Sequence, residues 1–137
     1  MSGPQASQTR QRIAELYKEM GQILEVFLRR QPLLKGCLYD SRRRCGKPGC
    51  VCTKGQLHSS KVLAYRGEGK QQNLYPSGRE VETLGKMTSE YQQLRRLRAR
   101  WVKLNQELLA CLGLLECYRL EVGKKRLRRS KTGRRLL

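Results

Sequence analysis

Apolar residues recur at steps of three and four in two separate stretches of the chain. The first stretch runs from Ile13 to Phe27 and places its apolar side chains along one stripe of a helix. Pro32 ends this pattern, because the residue before a proline disfavours helical geometry. We therefore expect an N-terminal helix within residues 10–32, preceded by a flexible N-terminus at residues 1–9.

The second stretch of helical spacing runs from Met87 to Val122 almost without interruption. It predicts one long helix over residues 79–122, which at 1.5 Å per residue would be about 50 Å long. A small globular core cannot cover a helix of that length. We expect that the first helix packs antiparallel along part of it, or that two copies of the chain pair through it as in a coiled coil.

The residues between the two helices carry strand signals instead. Residues 61–66 and 71–75 are short strand candidates, and the Gly-Glu-Gly-Lys segment at 67–70 is typical of a hairpin loop. The strand and turn pattern therefore predicts a small β-hairpin module over residues 33–78. The fold class is then mostly α with a small β-hairpin, placed between an N-terminal helix and a long C-terminal helix.

The charge balance narrows the class of function. The chain has 30 Lys and Arg against 11 acidic residues, a formal charge of +19. Self-repulsion at that charge is costly unless a polyanion neutralises it. Residues 123–137 form a basic tail with eight Lys or Arg and no acid, which we expect to be disordered unless it lies on a polyanion. Nucleic acid is the usual partner of such a chain, and an anionic membrane surface is the alternative.

The location follows from segments that the sequence lacks. No stretch approaches the roughly 20 apolar residues needed to cross a bilayer, and the first residues lack the pattern of a secretory signal. We therefore expect a cytoplasmic protein without a membrane partner. In that reducing setting, clustered cysteines are metal ligands rather than disulfides.

Three cysteines and the single histidine of the chain lie within fourteen residues. Cys45, Cys50, Cys52 and His58 follow the spacing Cys-x4-Cys-x-Cys-x5-His, and three thiolates with one imidazole are a standard ligand set for tetrahedral zinc. A Lys-Pro-Gly turn before Cys50 would reverse the chain, so that Cys45 and Cys50 reach one ion. We predict a structural Zn²⁺ at these four residues, with Cys37 as a substitute ligand if His58 points away. The alternative is a polar loop whose cysteines are incidental.

The basic residues form three groups, which we predict contact the phosphates of nucleic acid. One group flanks the metal motif, one lies on the long helix and one makes up the tail. Their members are Arg42, Arg43, Arg44 and Lys47; Arg96, Arg100 and Lys103; and Lys124, Lys125, Arg126, Arg128, Arg129, Arg134 and Arg135. A solvated face would explain any single group, but three groups with few acids between them exceed what solubility requires.

Residue types suited to catalysis are scarce. Asp40 is the only aspartate, and the glutamates fall mostly on predicted helix surfaces. Nucleases that work through two metal ions need several converging carboxylates. A Cys-His or Ser-His nucleophile would require His58, which the metal motif already uses. We therefore expect no enzymatic activity.

The segment from Leu34 to His58, with its Cys-Gly-Lys-Pro-Gly-Cys-Val-Cys core, resembles a family of short prokaryotic proteins often found near transposable elements. That family shows Cys-Gly-Lys-Pro-Gly-Cys-x-Cys, then Gly-x-x-His, a strand-rich stretch and a long C-terminal helix. The resemblance covers residues 33–110, and the four predicted zinc ligands match the family's Cys and His positions. It implies this architecture and a setting in mobile genetic elements.

Together these features predict a non-enzymatic accessory protein of a mobile genetic element that binds DNA or structured RNA around a structural zinc site. One alternative is a helical assembly subunit whose long helix docks on a transposase, a nuclease or a second copy. Another is a small transcriptional repressor, which would need sequence preference. Salt dependence separates the first two, because only direct phosphate contact predicts a steep loss of affinity with salt.

Overall fold

The computed structural model describes residues 1–43, 46–49, 55 and 58–136. These residues form, in chain order, α1 (Gly3–Phe27), β1 (Gly36–Arg43), β2 (His58–Gly67), β3 (Lys70–Leu74) and α2 (Gly78–Leu136). The predicted fold class is confirmed in that the protein is mostly helical with a small antiparallel β element. The sheet has three strands, however, and not the two of a hairpin.

The chain divides into two compact units. The helical unit contains Met1–Arg29 and Leu97–Leu137, and the sheet unit contains Arg30–Arg96. Within the described part of the chain, neither helix contains an apolar run long enough to cross a lipid bilayer.

Helix α1 begins at Gly3, so the prediction of a flexible N-terminus at residues 1–9 is wrong. A capping box supplies the start: the Gln5 backbone N–H donates to Ser2 Oγ at 3.3 Å, and the Ser2 N–H donates to Gln5 Oε1 at 2.8 Å. Two donors that would otherwise lack helical partners are thereby satisfied. Pro4 lies in the first turn, where its missing N–H costs nothing.

The core of the helical unit lies between α1 and the second part of α2. Leu16 and Leu104 are almost completely buried at its centre. Met20, Ile23 and Cys111 complete the buried cluster. The partly buried side chains that pack against this cluster are Ile13, Leu97, Trp101 and Leu108. The predicted apolar stripes of both helices therefore cover each other.

Two ion pairs fix the direction in which the helices run. Arg12 contacts Glu107 at 2.6 Å, and Glu19 contacts Arg100 at 2.8 Å. Moving seven residues forward along α1 thus moves seven residues back along α2. The predicted antiparallel packing of the first helix on the long helix is confirmed.

Helix α2 continues to Leu136, so its predicted end at residue 122 is wrong. Residues 123–136, which we expected to be disordered unless they lie on a polyanion, are helical. Lys, Arg and Leu, which dominate this segment, are good helix formers, and each added residue extends an existing helix without a new nucleus. Basic side chains near the helix C-terminus also interact favourably with its dipole. These gains offset two glycines, Gly123 and Gly133, which each cost about 1 kcal/mol in a helix interior.

The sheet unit has β2 at its centre, paired antiparallel with β1 on one side and β3 on the other. Val62 and Leu63, neighbours on β2 that point to opposite faces, are both buried. The predicted hairpin is confirmed in β2 and β3, which are joined by Glu68 and Gly69 at φ of 55° and 77°. Positive φ at both residues is the signature of a type I′ turn.

The sheet packs against the first part of α2 within the same unit. A Cβ built on Gly85 would lie 3.6 Å from Leu38 Cδ2, so the helix passes close to β1. The Leu34 N–H donates to the Met87 carbonyl at 3.2 Å. Thr88 is buried, and its hydroxyl donates to the Leu84 carbonyl at 3.0 Å.

Candidate nucleic-acid interface

The C-terminal part of α2 presents dense positive charge on an exposed helix. Every residue from Gly123 to Gly133 is exposed. Predicted contact residues with exposed side chains here are Lys124, Lys125, Arg126, Arg128 and Arg129. Arg134 and Arg135 continue the same helix, although their side chains lie outside the described part of the chain. Because the segment is helical, its basic residues lie at regular spacings along and around the helix axis.

Four basic residues of this segment occupy backbone positions on one face of the helix. Lys124, Arg128, Lys131 and Arg135 are separated by four, three and four residues, which keeps them within a sector of about 60° at 100° per residue. The stripe is about 16 Å long at 1.5 Å per residue. We call these four residues the basic stripe. Lys131 was not among the predicted contacts; its place on the stripe follows from the helical conformation of this segment.

The group predicted on the long helix divides into one paired arginine and two exposed basic residues. Arg100 donates from Nε to Glu19 Oε1 at 2.8 Å and from Nη2 to Glu19 Oε2 at 3.2 Å. This pairing raises the pKa of Arg100 and lowers the pKa of Glu19 below its ordinary value near 4.5. Arg100 is thus committed to a carboxylate, and we do not retain it as a phosphate contact. Arg96 and Lys103 are exposed.

A second arginine–glutamate pair joins α1 to α2, seven residues away from the first pair along each helix. Arg12 donates to both carboxylate oxygens of Glu107, at 2.6 and 2.8 Å, and to Glu15 at 3.0 Å. The hydrogen bond from Arg12 lowers the pKa of Glu107. These two ion-pair clusters connect α1 to α2 and neutralise several charges at the interface of the two helices.

The basic group around the metal motif lies at the end of the β1–β2 ladder. Arg42 is exposed and faces Ser59 across the ladder, and Arg43 pairs with His58 in the last register position. Lys47 is exposed beside the Pro48-Gly49 turn, while Arg44 lies outside the described residues.

The predicted zinc site is described only at its margins. Cys45, Cys50 and Cys52 lie outside the described residues, and for His58 only the backbone, at the start of β2, is described. Gly49 has φ 77°, the value that the predicted type II turn requires at its second central residue. Among the residues that the structure does describe, no three His, Cys, Asp or Glu side chains are grouped as metal ligands.

The other three cysteines are free thiols. Cys37, the predicted substitute ligand, lies exposed on β1 opposite Ala64. Cys111 is buried in the helical core, where a free cysteine packs as a small hydrophobic residue. Cys117 is exposed on α2.

Two grooves along the helical unit contain arginines that sequence reasoning did not single out. The smaller groove, of about 320 Å³, is lined by Arg10, Tyr118, Arg119, Val122, Gly123 and Arg126. The larger, of about 770 Å³, is lined by Arg10, Leu112, Leu115, Glu116, Arg119 and Leu120. Arg10 and Arg119 border both grooves. They come from different helices, so no spacing in the sequence brings them together; only the antiparallel register does.

Comparison with known proteins places the chain in a family. Residues 5–86 match the family described as a domain of unknown function, DUF6788. The chain belongs to this family. No curated protein and no solved structure shows significant similarity to it.

The DUF6788 match covers α1 from Gln5 onward, the whole sheet and the start of α2. It therefore includes the Cys45–His58 motif and its flanking arginines. The basic stripe and Arg119 lie beyond the matched residues. Family membership thus supplies no activity, and the function must be argued from the surfaces themselves.

Proposed function

We propose that the protein is a non-enzymatic nucleic-acid-binding accessory protein that contacts phosphates through the exposed C-terminal part of α2. One observation carries the proposal: residues 123–136 of α2 contain eight Lys or Arg and no acid, and every residue from Gly123 to Gly133 is exposed. Such a segment has no core to stabilise, and its self-repulsion is relieved by a polyanion. Phosphate contacts of this kind dominate nucleic-acid affinity and carry little sequence information.

A structural zinc ion at Cys45, Cys50, Cys52 and His58 is the second part of the proposal. Its support is the ligand spacing together with the β1–β2 register. The last pair of the ladder joins Arg43 to His58, and Cys45 follows Arg43 by two residues. Paired residues on antiparallel strands have Cα atoms about 5 Å apart, so the ladder holds the two ends of the motif together. The ion would staple this loop and hold its arginines beside the nucleic acid.

The association with a mobile genetic element rests on the resemblance of the Cys45–His58 segment alone. It assigns a setting and no chemistry. Nucleic-acid binding through phosphates suits an accessory role there, because a partner enzyme would supply both catalysis and target choice.

The test is to neutralise the basic stripe and measure binding to a random-sequence 20-base-pair DNA duplex by fluorescence anisotropy. The variant is K124Q/R128Q/K131Q/R135Q, since Gln keeps helix propensity while removing charge. A matched control removes four exposed charges elsewhere: Lys18→Gln, Lys70→Gln, Arg79→Gln and Arg98→Gln.

We expect the stripe variant to lose affinity at least tenfold and to lower the salt slope by about 3–4, close to 0.9 for each lost phosphate contact. The control should change both quantities much less. Equal losses in the two variants would mean that net charge alone drives binding. If the unaltered protein shows no salt-dependent binding, the proposed function is wrong.

A second candidate function is favoured by exposed apolar side chains on the helical unit. Tyr17 of α1 and Leu28, the C-cap residue after α1, are 77% and 78% exposed, and Leu109 of α2 is 60% exposed. A helical assembly subunit would bury such residues against a transposase, a nuclease or a second copy. Binding of that partner should then vary little with salt, in contrast to phosphate contact.

A further inference from the structure

We infer that the groove between Arg10, Arg119 and Arg126 is a second phosphate site, which holds one strand of duplex DNA while the basic stripe contacts the other. This inference rests on the proposed function and adds a site, a substrate and a docking geometry to it. The ligand chemistry is the phosphodiester backbone of a B-form duplex.

Three arginines from two helices line the groove. Arg119 and Arg126 are seven residues apart on α2, which places them within about 20° of each other and about 10.5 Å apart along the axis. Arg10 projects from α1 and borders the same groove. Arginines that line one groove from both helices can hold a phosphate there by charge-assisted, bidentate hydrogen bonds.

The arginines of this groove are available for a ligand. In the described part of the chain, Arg10, Arg119 and Arg126 form no ion pair with a carboxylate, whereas Arg12, on the same helix as Arg10, is bonded to Glu107. Glu121 lies about 200° around the helix from Arg119 and so faces away. Glu116 lines the larger neighbouring groove, together with Arg10 and Arg119, but not the smaller one. The residues that line the smaller groove therefore include three arginines and no carboxylate.

The N-terminus of α1 lies beside this groove and adds positive electrostatic potential there. A Cβ built on Gly3 would lie 3.7 Å from Tyr118 Oη, and Tyr118 lines the groove. The first turn of α1 contains no acidic residue, so the positive end of its dipole is not neutralised by a side chain. The Tyr118 hydroxyl is a further hydrogen-bond donor to a phosphate oxygen.

The position of the groove relative to the basic stripe favours a DNA duplex over an RNA duplex. Arg119 and Arg126 lie about 140–160° around α2 from Lys124, so the groove and the stripe occupy nearly opposite faces of one helix. A helix in the major groove of B-form DNA, about 12 Å wide, has a phosphate backbone on each side. The major groove of A-form RNA is too narrow and deep for such entry. Positive charge on two opposite faces therefore fits DNA.

The experiment compares the full-length protein with R10Q/R119Q/R126Q and with a control that loses three other exposed charges, K18Q/R79Q/R98Q. Binding to a 20-base-pair DNA duplex and to the RNA duplex of the same sequence is measured by anisotropy between 50 and 300 mM KCl. Circular dichroism verifies that the helices of all three proteins are intact.

We expect the unaltered protein to prefer the DNA duplex at least tenfold. The groove variant should lose affinity for DNA at least tenfold and lower its salt slope by about 2–3, and the control should do neither. Inorganic phosphate added at constant ionic strength should not displace the duplex.

Three outcomes overturn the inference while leaving the proposed function intact. The groove variant could behave like the control, the protein could bind DNA and RNA duplexes equally, or millimolar inorganic phosphate could displace the duplex and identify a site for the free anion. If the unaltered protein shows no salt-dependent binding to either duplex, the proposed function itself is rejected.

Discussion

The helical hairpin depends on Leu104, which makes the substitution Leu104→Ala a quantitative test of the fold. Leu104 is 1% exposed and lies in the buried cluster with Leu16, which is completely buried. Truncation removes three carbon groups, worth about 2.4 kcal/mol at about 0.8 kcal/mol each. A cavity term is added, and large-to-small core changes of this type cost about 2–5 kcal/mol. Trp101 and Leu108 beside the cluster are only partly buried and can relax into the gap, so we expect about 2.5–3.5 kcal/mol.

Trp101 also provides the assay. It is the only tryptophan of the chain and packs against this cluster, so its fluorescence during urea unfolding reports on the helical unit. Leu109→Ala is the matched control, because it makes the same chemical change on the same helix at a residue that is 60% exposed. The control should cost less than about 0.5 kcal/mol. Equal destabilisation by the two substitutions would refute the packing described here.

Three further predictions concern the turn, the ion pairs and the metal. Glu68→Asn should stabilise the protein by up to about 1 kcal/mol in thermal unfolding, because Glu68 has φ 55° and asparagine tolerates that conformation; a lower melting temperature would contradict the type I′ turn. The pKa values of Glu19 and Glu107 are lowered by Arg100 and Arg12, so their contribution to stability is present above about pH 4.5 and is lost as pH falls through the lowered values. The variant E19Q/E107Q should therefore flatten the acid decline in stability, and an unchanged decline would argue against these pairs. Purified protein should contain one zinc per chain, and C45S/C50S should lose the metal and melt at lower temperature; protein without metal whose melting temperature is unaffected by C45S/C50S would reject the zinc site.

The sequence predicted the helices well where an apolar stripe existed and poorly where other forces decide. The stripe from Ile13 to Phe27 and its counterpart after Met87 identified both helices, since their periodicity reflects the core they share. The first turn of α1 depends on the local capping box at Ser2, which carries no apolar signal. The last turns of α2 depend on propensity and helix extension, which a charge-based expectation of disorder overlooked.

The sheet shows the same division. The hairpin of β2 and β3 was predicted from turn chemistry, which is local. Strand β1 was missed because half of it, Asp40 to Arg43, consists of residues with weak strand preference. Its conformation comes from pairing with β2 over eight register positions, a long-range contact that periodicity does not reveal.

The positive charge of the candidate site could be predicted from the sequence, but the positions of its basic side chains relative to one another could not. Composition alone marked the basic C-terminal segment as a nucleic-acid contact. Three details required the structure: Lys131 joins the stripe, Arg10 and Arg119 line one groove, and Arg100 is paired with Glu19. Each depends on the antiparallel register of α1 and α2 or on the extension of α2, neither of which the sequence fixes by spacing.

The central claim is that the protein binds nucleic acid through direct phosphate contacts. The most direct test is the salt dependence of binding of the full-length protein to a random-sequence DNA duplex. Four contacts from the basic stripe and about three from the arginine groove predict a plot of log affinity against log salt concentration with a slope near −6, at about −0.9 per contact. A slope between 0 and −1, or no measurable binding at 50 mM salt, would contradict the account.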